Sequence, residues 1–351
     1  MEPIAQMEPW FDSAEAKALN DYVLSGGWGT EFQKTAEFEN LIKSYTGTSN
    51  CVVTNSGTIA ISLALLALGV GEGDEVVVPD LTMIATANAA VMVGAKPVFV
   101  DIEPETLNID IDKIESTLNE RTKAVIHVSL NGRSNDIAKL VALCKKRNIP
   151  LVEDAAQSLG SFTKGKHLGT IGDIGILSFS SPKIITTGQG GALLTDNPIL
   201  AERIKKIKDF GRLGGGNDIH DEIGFNFKFT DFQAVVGVEQ MKKLSWRVDR
   251  KKEIWRRYRE NLNSVSDIQW LDTDLSDVAP WFIDIYTENR EELITYLKER
   301  NIGSRSIYPP IHWQGAYGLT KLTFPVTDDF ARRGLWLPSS SKLGDEQIDR
   351  V

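Results

Sequence analysis

Short β-branched runs recur along the first two-thirds of the chain, at CVVT (51–54), EVVVP (75–79), PVFVD (97–101), KAVIHV (123–128), PLVED (150–154), GILSF (175–179) and GALLT (191–195). Most of the gaps hold helical patterns. GTIAISLALLALG (57–69) is apolar all round and marks a buried helix. TMIATANAAVMVG (82–94) stops on a glycine, and NDIAKLVALCKKRN (135–148) opens acidic and closes basic. Strands alternating with helices predict an α/β fold around a mostly parallel sheet covered on both faces. Such a sheet gathers ligands beyond the carboxyl ends of its strands, so the residues there are the ones to read for chemistry.

The texture changes near Gln240. A charged amphipathic stretch, VEQMKKLSWRVDRKKEIWRRYRENLNSV, reads as one long connecting helix. Beyond it IQWL, WFIDIYT and GSRSIY suggest short antiparallel strands, REELITYLKERNI a helix, and GDEQIDRV a last helix cut short. The expected division is a large α/β domain over 1–242 and a smaller α+β domain over 243–351.

A net charge of −9 argues against a nucleic-acid partner, which would call for a basic face. The two cysteines, Cys51 and Cys144, form no CxxC pair, and the first residues lack a basic and apolar leader, so a reducing, cytoplasmic setting is expected. No apolar run is long enough to predict a membrane span.

Three groups of residues lie where the sheet would put a ligand. Thr54-Asn55-Ser56-Gly57-Thr58 joins the first strand to the buried helix, and small residues there suit either an N-cap or an anion site made of free N–H groups. Asp154 closes the apolar strand PLVED, where a poorly solvated carboxylate needs a cation or several hydrogen bonds; the simpler reading is a cap for the next segment. The third group is SFSSPKIITTGQGG (178–191). Lys183 is the sole ionisable charge between Ile174 and Thr195. Desolvation lowers an amine's pKa, and the uncharged amine is the form that adds to carbonyls. The alternative is a lysine reaching out of a loop to water. An anion cradle, an isolated acid and an isolated amine are together the parts that pyridoxal 5′-phosphate (PLP) requires.

Longer segments carry a resemblance: NSGTIAISLALLALGVGEGDEVVVP, GAKPVFVDIEPETLNID, LVEDAAQSLGS, GDIGILSFSSPKIITTGQGGALLT and IGFNFKFTDFQAVVGVEQ. From about Trp28 to Leu244, and more weakly to the end, the chain resembles the DegT/DnrJ/EryC1/StrS sugar aminotransferases, PLP enzymes of fold type I (aspartate-aminotransferase-like). It is most similar to the branch of perosamine and viosamine type, which aminates C4 of a nucleotide-linked 4-keto-6-deoxyhexose. The resemblance implies that Lys183 joins the cofactor covalently and shuttles protons, and that Asp154 pairs with the pyridinium nitrogen. It implies Gln157 beside the ring, and Ser56, Gly57, Thr58 and Ser178 at the phosphate. Asn226 is expected to reach the cofactor phosphate of a neighbouring subunit, which implies a homodimer with shared sites. L-glutamate is the implied donor.

There are departures from the family pattern. Met83 stands where an aromatic ring often stacks on the cofactor, and Ser129-Leu130-Asn131-Gly132, followed by Arg133, replaces a His-Leu-Tyr-Gly run on the substrate side. Trp28, Thr30, Arg212, His220, Tyr308 and His312 are the expected substrate contacts, each equally readable as an ordinary loop residue. The resemblance leaves open amination at C3 of a 3-keto sugar, the nucleotide, and a non-catalytic sensor built on the same fold. Other chemistries fit less well. No GxGxxG follows the first strand, and GSFTKGK (160–166) is followed by His167 where a P-loop needs Ser or Thr, so it reads as a turn. The four histidines, at 127, 167, 220 and 312, lack metal-ligand spacing, so no metal is expected.

Overall fold

The computed structural model describes residues 2–214 and 218–351. In chain order its first strands are β1 (Asn50–Thr54), β2 (Glu75–Pro79), β3 (Lys96–Val100), β4 (Thr122–Val128) and β5 (Leu151–Asp154). A two-residue pair, β6 (Phe162–Thr163) and β7 (Lys166–His167), precedes β8 (Ile174–Ser178) and β9 (Gly191–Thr195). The GSFTKGK stretch therefore is a hairpin, with Lys164 and Gly165 at positive φ in its turn.

Among the described residues the large sheet runs β1-β9-β8-β5-β4-β2-β3. Only β9 is antiparallel to its neighbours. Period-two alternation sorts its side chains. Val52, Val76, Val78, Ile126, Val152 and Ile176 face one core with Ala60, Leu63 and Ala64 of helix Gly57–Ala67. Val53, Leu177, Ala192 and Leu194 face the opposite side, where Phe38, Phe179, Phe229 and Val238 cover them. Burying a leucine such as Leu63 contributes about 1.5–3 kcal/mol.

The smaller sheet is antiparallel, in the order β10 (Ile283–Tyr286), β12 (Gly334–Leu337), β11 (Arg305–Ser306). Its central strand is GLWL, while IQWL contributes only a bridge from Gln269 to Tyr286. The stretch expected as one long helix is two, Asp231–Lys242 and Leu244–Asn261, which meet at Lys243. Gln240, Lys243 and Arg247 around that break all reach back to the N-terminal segment, at Trp10 or Glu15. One face of the small sheet packs on Tyr258 and Ile254. The other face, with Trp281, Phe282 and Trp336, packs against Leu81, Ile102 and Leu130 of the large sheet's loops. This joint brings the small sheet to the carboxyl edge of the large one.

Candidate active site

Strand order makes three distant segments meet at that edge. β5 ends on Asp154 beside Ile176 of β8, and β8 ends on Ser178 opposite Gly191 of β9, which lies opposite Thr54 of β1. The contacts are close enough to require glycine. A Cβ on Gly57 would fall 2.9 Å from the Ser178 Cβ, and one on Gly191 would fall 2.5 Å from the Ser56 carbonyl oxygen.

Between the segments lies a cavity of about 240 Å³. Ser56, Gly57, Thr58, Met83, Asp154, Gln157, Ser178 and Lys183 line it, joined by Thr86, Ala156, Ser180 and Gln189. At one end of it, Ser56 caps helix Gly57–Ala67 by accepting the Ile59 N–H at 3.2 Å. The Gly57 and Thr58 N–H groups have no intrahelical acceptor, so this end presents donors and the positive pole of the helix. A larger cleft of about 450 Å³ lies at the opposite end of β5, beside Lys145, Pro150 and Asp173. Its Asp173 is engaged with the Leu151 N–H at 2.8 Å, and nothing there matches the convergence of groups at Lys183.

Asp154 is 6% exposed. The Thr86 hydroxyl donates to its Oδ2 at 2.8 Å and the Ala156 N–H to its Oδ1 at 3.2 Å, while the Thr82 and Thr86 hydroxyls lie 2.9 Å apart. Burial lifts the carboxyl above its usual range, with Thr86, Ala156 and the Lys183 charge across the cavity opposing. Lys183 sits in the loop between β8 and β9, and the backbone on both sides of it is gripped. The Pro182 carbonyl accepts Trp281 Nε1–H at 2.8 Å, the Ile184 carbonyl accepts Arg247 Nη1 at 3.0 Å, and the Thr186 N–H donates to Gln240 at 3.2 Å. Burial brings the Lys183 amine down to about 8, with Asp154 opposing. Roughly a tenth of such an amine is uncharged at pH 7, against under a thousandth for an ordinary lysine.

Gln157 is fixed by the Asn131 N–H, which donates to its Oε1 at 2.9 Å. Asn131 and Gly132 hold positive φ, and Arg133 after them enters a buried pair with Asp284 of β10, at 3.0 and 2.6 Å. The Tyr286 hydroxyl donates to the same carboxylate at 2.7 Å. Burial alone would raise Asp284, but Arg133 holds it below the usual carboxylate range. Asp284→Ala strands the Arg133 cation inside the joint. It is expected to cost about 3 kcal/mol, read from the urea midpoint, and Arg133→Met in the same chain should recover much of that loss. A single-variant cost under about 1 kcal/mol would refute this account of the joint.

The sequence pattern of the DegT/DnrJ/EryC1/StrS aminotransferase family matches residues 11–351. The chain belongs to this family. It is a sugar aminotransferase. GDP-perosamine synthase of Escherichia coli O157:H7 is 35% identical over 351 residues, which cover 99% of this chain and 96% of that one. Among solved structures, the aminotransferase TlmJ of Streptoalloteichus hindustanus has a TM-score of 0.94 at 31% identity, covering 100% of this chain and 97% of its own. Spr1654 of Streptococcus pneumoniae, solved in a PLP-form, has a TM-score of 0.93 at 30% identity, covering 99% and 96%.

In this sugar aminotransferase the remaining expected residues are not among those that line the cavity, although Tyr308 is near enough to feel the Asp154 charge. Asn226 is exposed and pairs through its backbone with Asp209. Trp28 is 73% exposed and leans on Phe32, and the Thr30 carbonyl accepts the Asp231 N–H at 3.1 Å. Arg212 pairs with Asp209 and Asp218, and His220 Nδ1 lies 2.8 Å from the Phe210 carbonyl oxygen. Tyr308 packs edge-on against Trp336; burial pushes its hydroxyl up, and Asp154 adds to that rise. His312 is a fully buried residue. Its Nδ1 lies 2.5 Å from Asp80 Oδ2 and its N–H donates to Asp80 Oδ1 at 3.0 Å, so it ties the 311–313 turn to the end of β2. Two residues at the site had no signal in the sequence. Thr86 looks like any helical threonine, and Trp281, whose ring centroid lies 4.0 Å from Lys183 Nζ, is a strand-entry aromatic far along the chain.

Proposed function

We propose that the chain moves an amino group from L-glutamate to the C4 keto group of a nucleotide-linked 4-keto-6-deoxyhexose, with PLP as cofactor. One observation carries the reading: among the described residues the cavity sets an amine without an ion pair against a buried carboxylate without a salt-bridge partner, beside an open helix N-terminus. A phosphate, a basic ring nitrogen and an aldehyde answer those three needs. Support for the sugar is the E. coli relative's name, GDP-perosamine synthase.

Bound PLP supplies an electron sink for the charge left on a carbon when its proton departs. The Gly57 and Thr58 N–H groups and the Ser178 hydroxyl bind the phosphate at the helix's positive end. Asp154, oriented by Thr86 and the Ala156 N–H, holds a proton on the ring nitrogen, because a buried carboxylate gains most from a cationic partner. Gln157, held by Asn131, would help to hold the cofactor, and the Met83 thioether would pack on it less firmly than an aromatic side chain. Lys183 Nζ takes the α-proton of the donor and delivers a proton to the sugar carbon.

The reading includes a homodimer in which Asn226 serves the cofactor phosphate of a second copy. It is supported by the apolar side chains exposed on neighbouring segments, among them Leu24, Trp28, Phe32, Ile223 and Phe232.

The test is a panel of 3-keto and 4-keto-6-deoxy sugars carried on GDP, UDP or dTDP, given with glutamate and read by mass spectrometry. An aminated 4-keto sugar is expected, with parallel initial-velocity lines because donor and acceptor occupy one cavity in turn. Amination of 3-keto sugars alone moves the reading to C3, and intersecting lines reject the shared cavity. A colourless protein without turnover points to the non-catalytic sensor.

A further inference from the structure

What faces the Lys183 amine is the indole of Trp281, at 4.0 Å from Nζ to the ring centroid. A cation over an indole face is attracted by the ring's quadrupole, most strongly where water is excluded. This ring is fixed from every side. Its Nε1–H donates at 2.8 Å to the carbonyl of Pro182, the residue before Lys183, so ring and lysine backbone are tied together. Its own carbonyl accepts from Lys251 Nζ at 2.5 Å, and Lys251 is itself buried with its amine also on the Ser339 carbonyl. Phe282 stacks on the ring at 3.8 Å and Trp336 meets it edge-on at 5.8 Å. Residues of the large sheet, the small sheet and helix Leu244–Asn261 thus hold one aromatic face against one amine.

We propose that the Trp281 indole is the docking platform of the Lys183 amine whenever that amine is free, which makes Trp281 a positioning residue for the lysine. The inference rests on the reading of Lys183 given above. An amine joined to the cofactor for part of each cycle needs a defined place for the rest of it. In the cofactor-free protein an ammonium left to wander is drawn toward Asp154 and would occupy the carboxylate kept for the ring nitrogen. Held on the indole it stays close to the reacting carbon, uncharged when it takes the donor's α-proton and an ammonium once it has a proton to give.

Cofactor-free protein tests this without turnover. The pH dependence of Lys183 modification by a small acylating reagent, read by peptide mass spectrometry, reports the titration of the amine itself. The ring favours the charged form, so weakening its face lets the proton leave at lower pH. A fluorinated tryptophan of the same shape, placed at position 281, should lower the midpoint by about one pH unit. Trp281→Leu, where circular dichroism shows the native fold, should lower it at least as far. An unchanged midpoint in the fluorinated protein overturns the proposal. If the midpoint falls but borohydride fixes no PLP on Lys183, the ring–amine contact stands and the functional reading fails instead.

Discussion

Lys183→Ala is expected to lower transamination by about 10⁴-fold, because one side chain is both the nucleophile and the proton carrier. The same variant should carry no cofactor mass on the Lys183 peptide after incubation with PLP and borohydride. Lys183→Arg separates charge from chemistry. A guanidinium stays protonated and cannot add to a carbonyl, so the arginine variant should be as inactive as the alanine one. More than a few per cent of wild-type activity in either would sink the assignment. The alanine variant should not fail by unfolding, since Lys183 makes no ion pair among the described residues and its amine is already disfavoured as a cation by burial. Circular dichroism checks that the arginine variant, whose buried guanidinium cannot shed its charge, keeps the fold. The inactive chain also tests the shared site. Mixed with Asn226→Ala chains and allowed to exchange subunits, it should restore about a quarter of the wild-type sites if Asn226 acts in trans. If Asn226 acts within its own chain, mixing only dilutes the residual activity.

The site's charged centre was legible in the sequence because each member breaks a local expectation. Lys183 is alone in an apolar stretch, Asp154 ends an apolar strand, and Gly57 and Thr58 open a helix with no charge in its first turn. Parallel topology then determines that these ends share one edge. What stayed hidden depends on partners distant along the chain. His312 reads as a substrate contact or an ordinary loop residue until Asp80, 232 residues away, is found against its ring. Arg133 reads as a substrate-side cation until Asp284 takes it across the joint. Trp281 is indistinguishable from Trp336 as a strand aromatic, yet only one of them lies over the amine. The break at Lys243 was hidden for the same reason. Local propensity continues through it, and the N-terminal segment that Gln240, Lys243 and Arg247 grip lies more than two hundred residues earlier. Period and composition report a residue's own preference; they do not report which distant group satisfies it.

Asp154→Asn is expected to lower kcat by roughly 10³-fold while leaving the cavity's shape intact. The amide oxygen still accepts the Thr86 hydroxyl, while the amide NH2 replaces the oxygen that accepted the Ala156 N–H, so one long contact at 3.2 Å is lost together with the charge opposite the ring nitrogen. A second readout excludes simple damage. Burial raises the Asp154 carboxyl above its ordinary pKa of 3.8, so the cofactor-free folded state holds that proton more tightly than the unfolded chain does. Stability must then fall as pH rises from 3.8 through the folded value, and it stays reduced at neutral pH. Asparagine has no proton to lose. The cofactor-free variant should therefore melt at a higher temperature than the parent at pH 7, with the difference vanishing in acid below the unfolded pKa. Added PLP should reverse the order, because only the aspartate gains a cationic partner from it. A variant that keeps more than a tenth of kcat, or that melts lower than the parent without cofactor at pH 7, would show that Asp154 is a structural cap rather than a charge reserved for the ring.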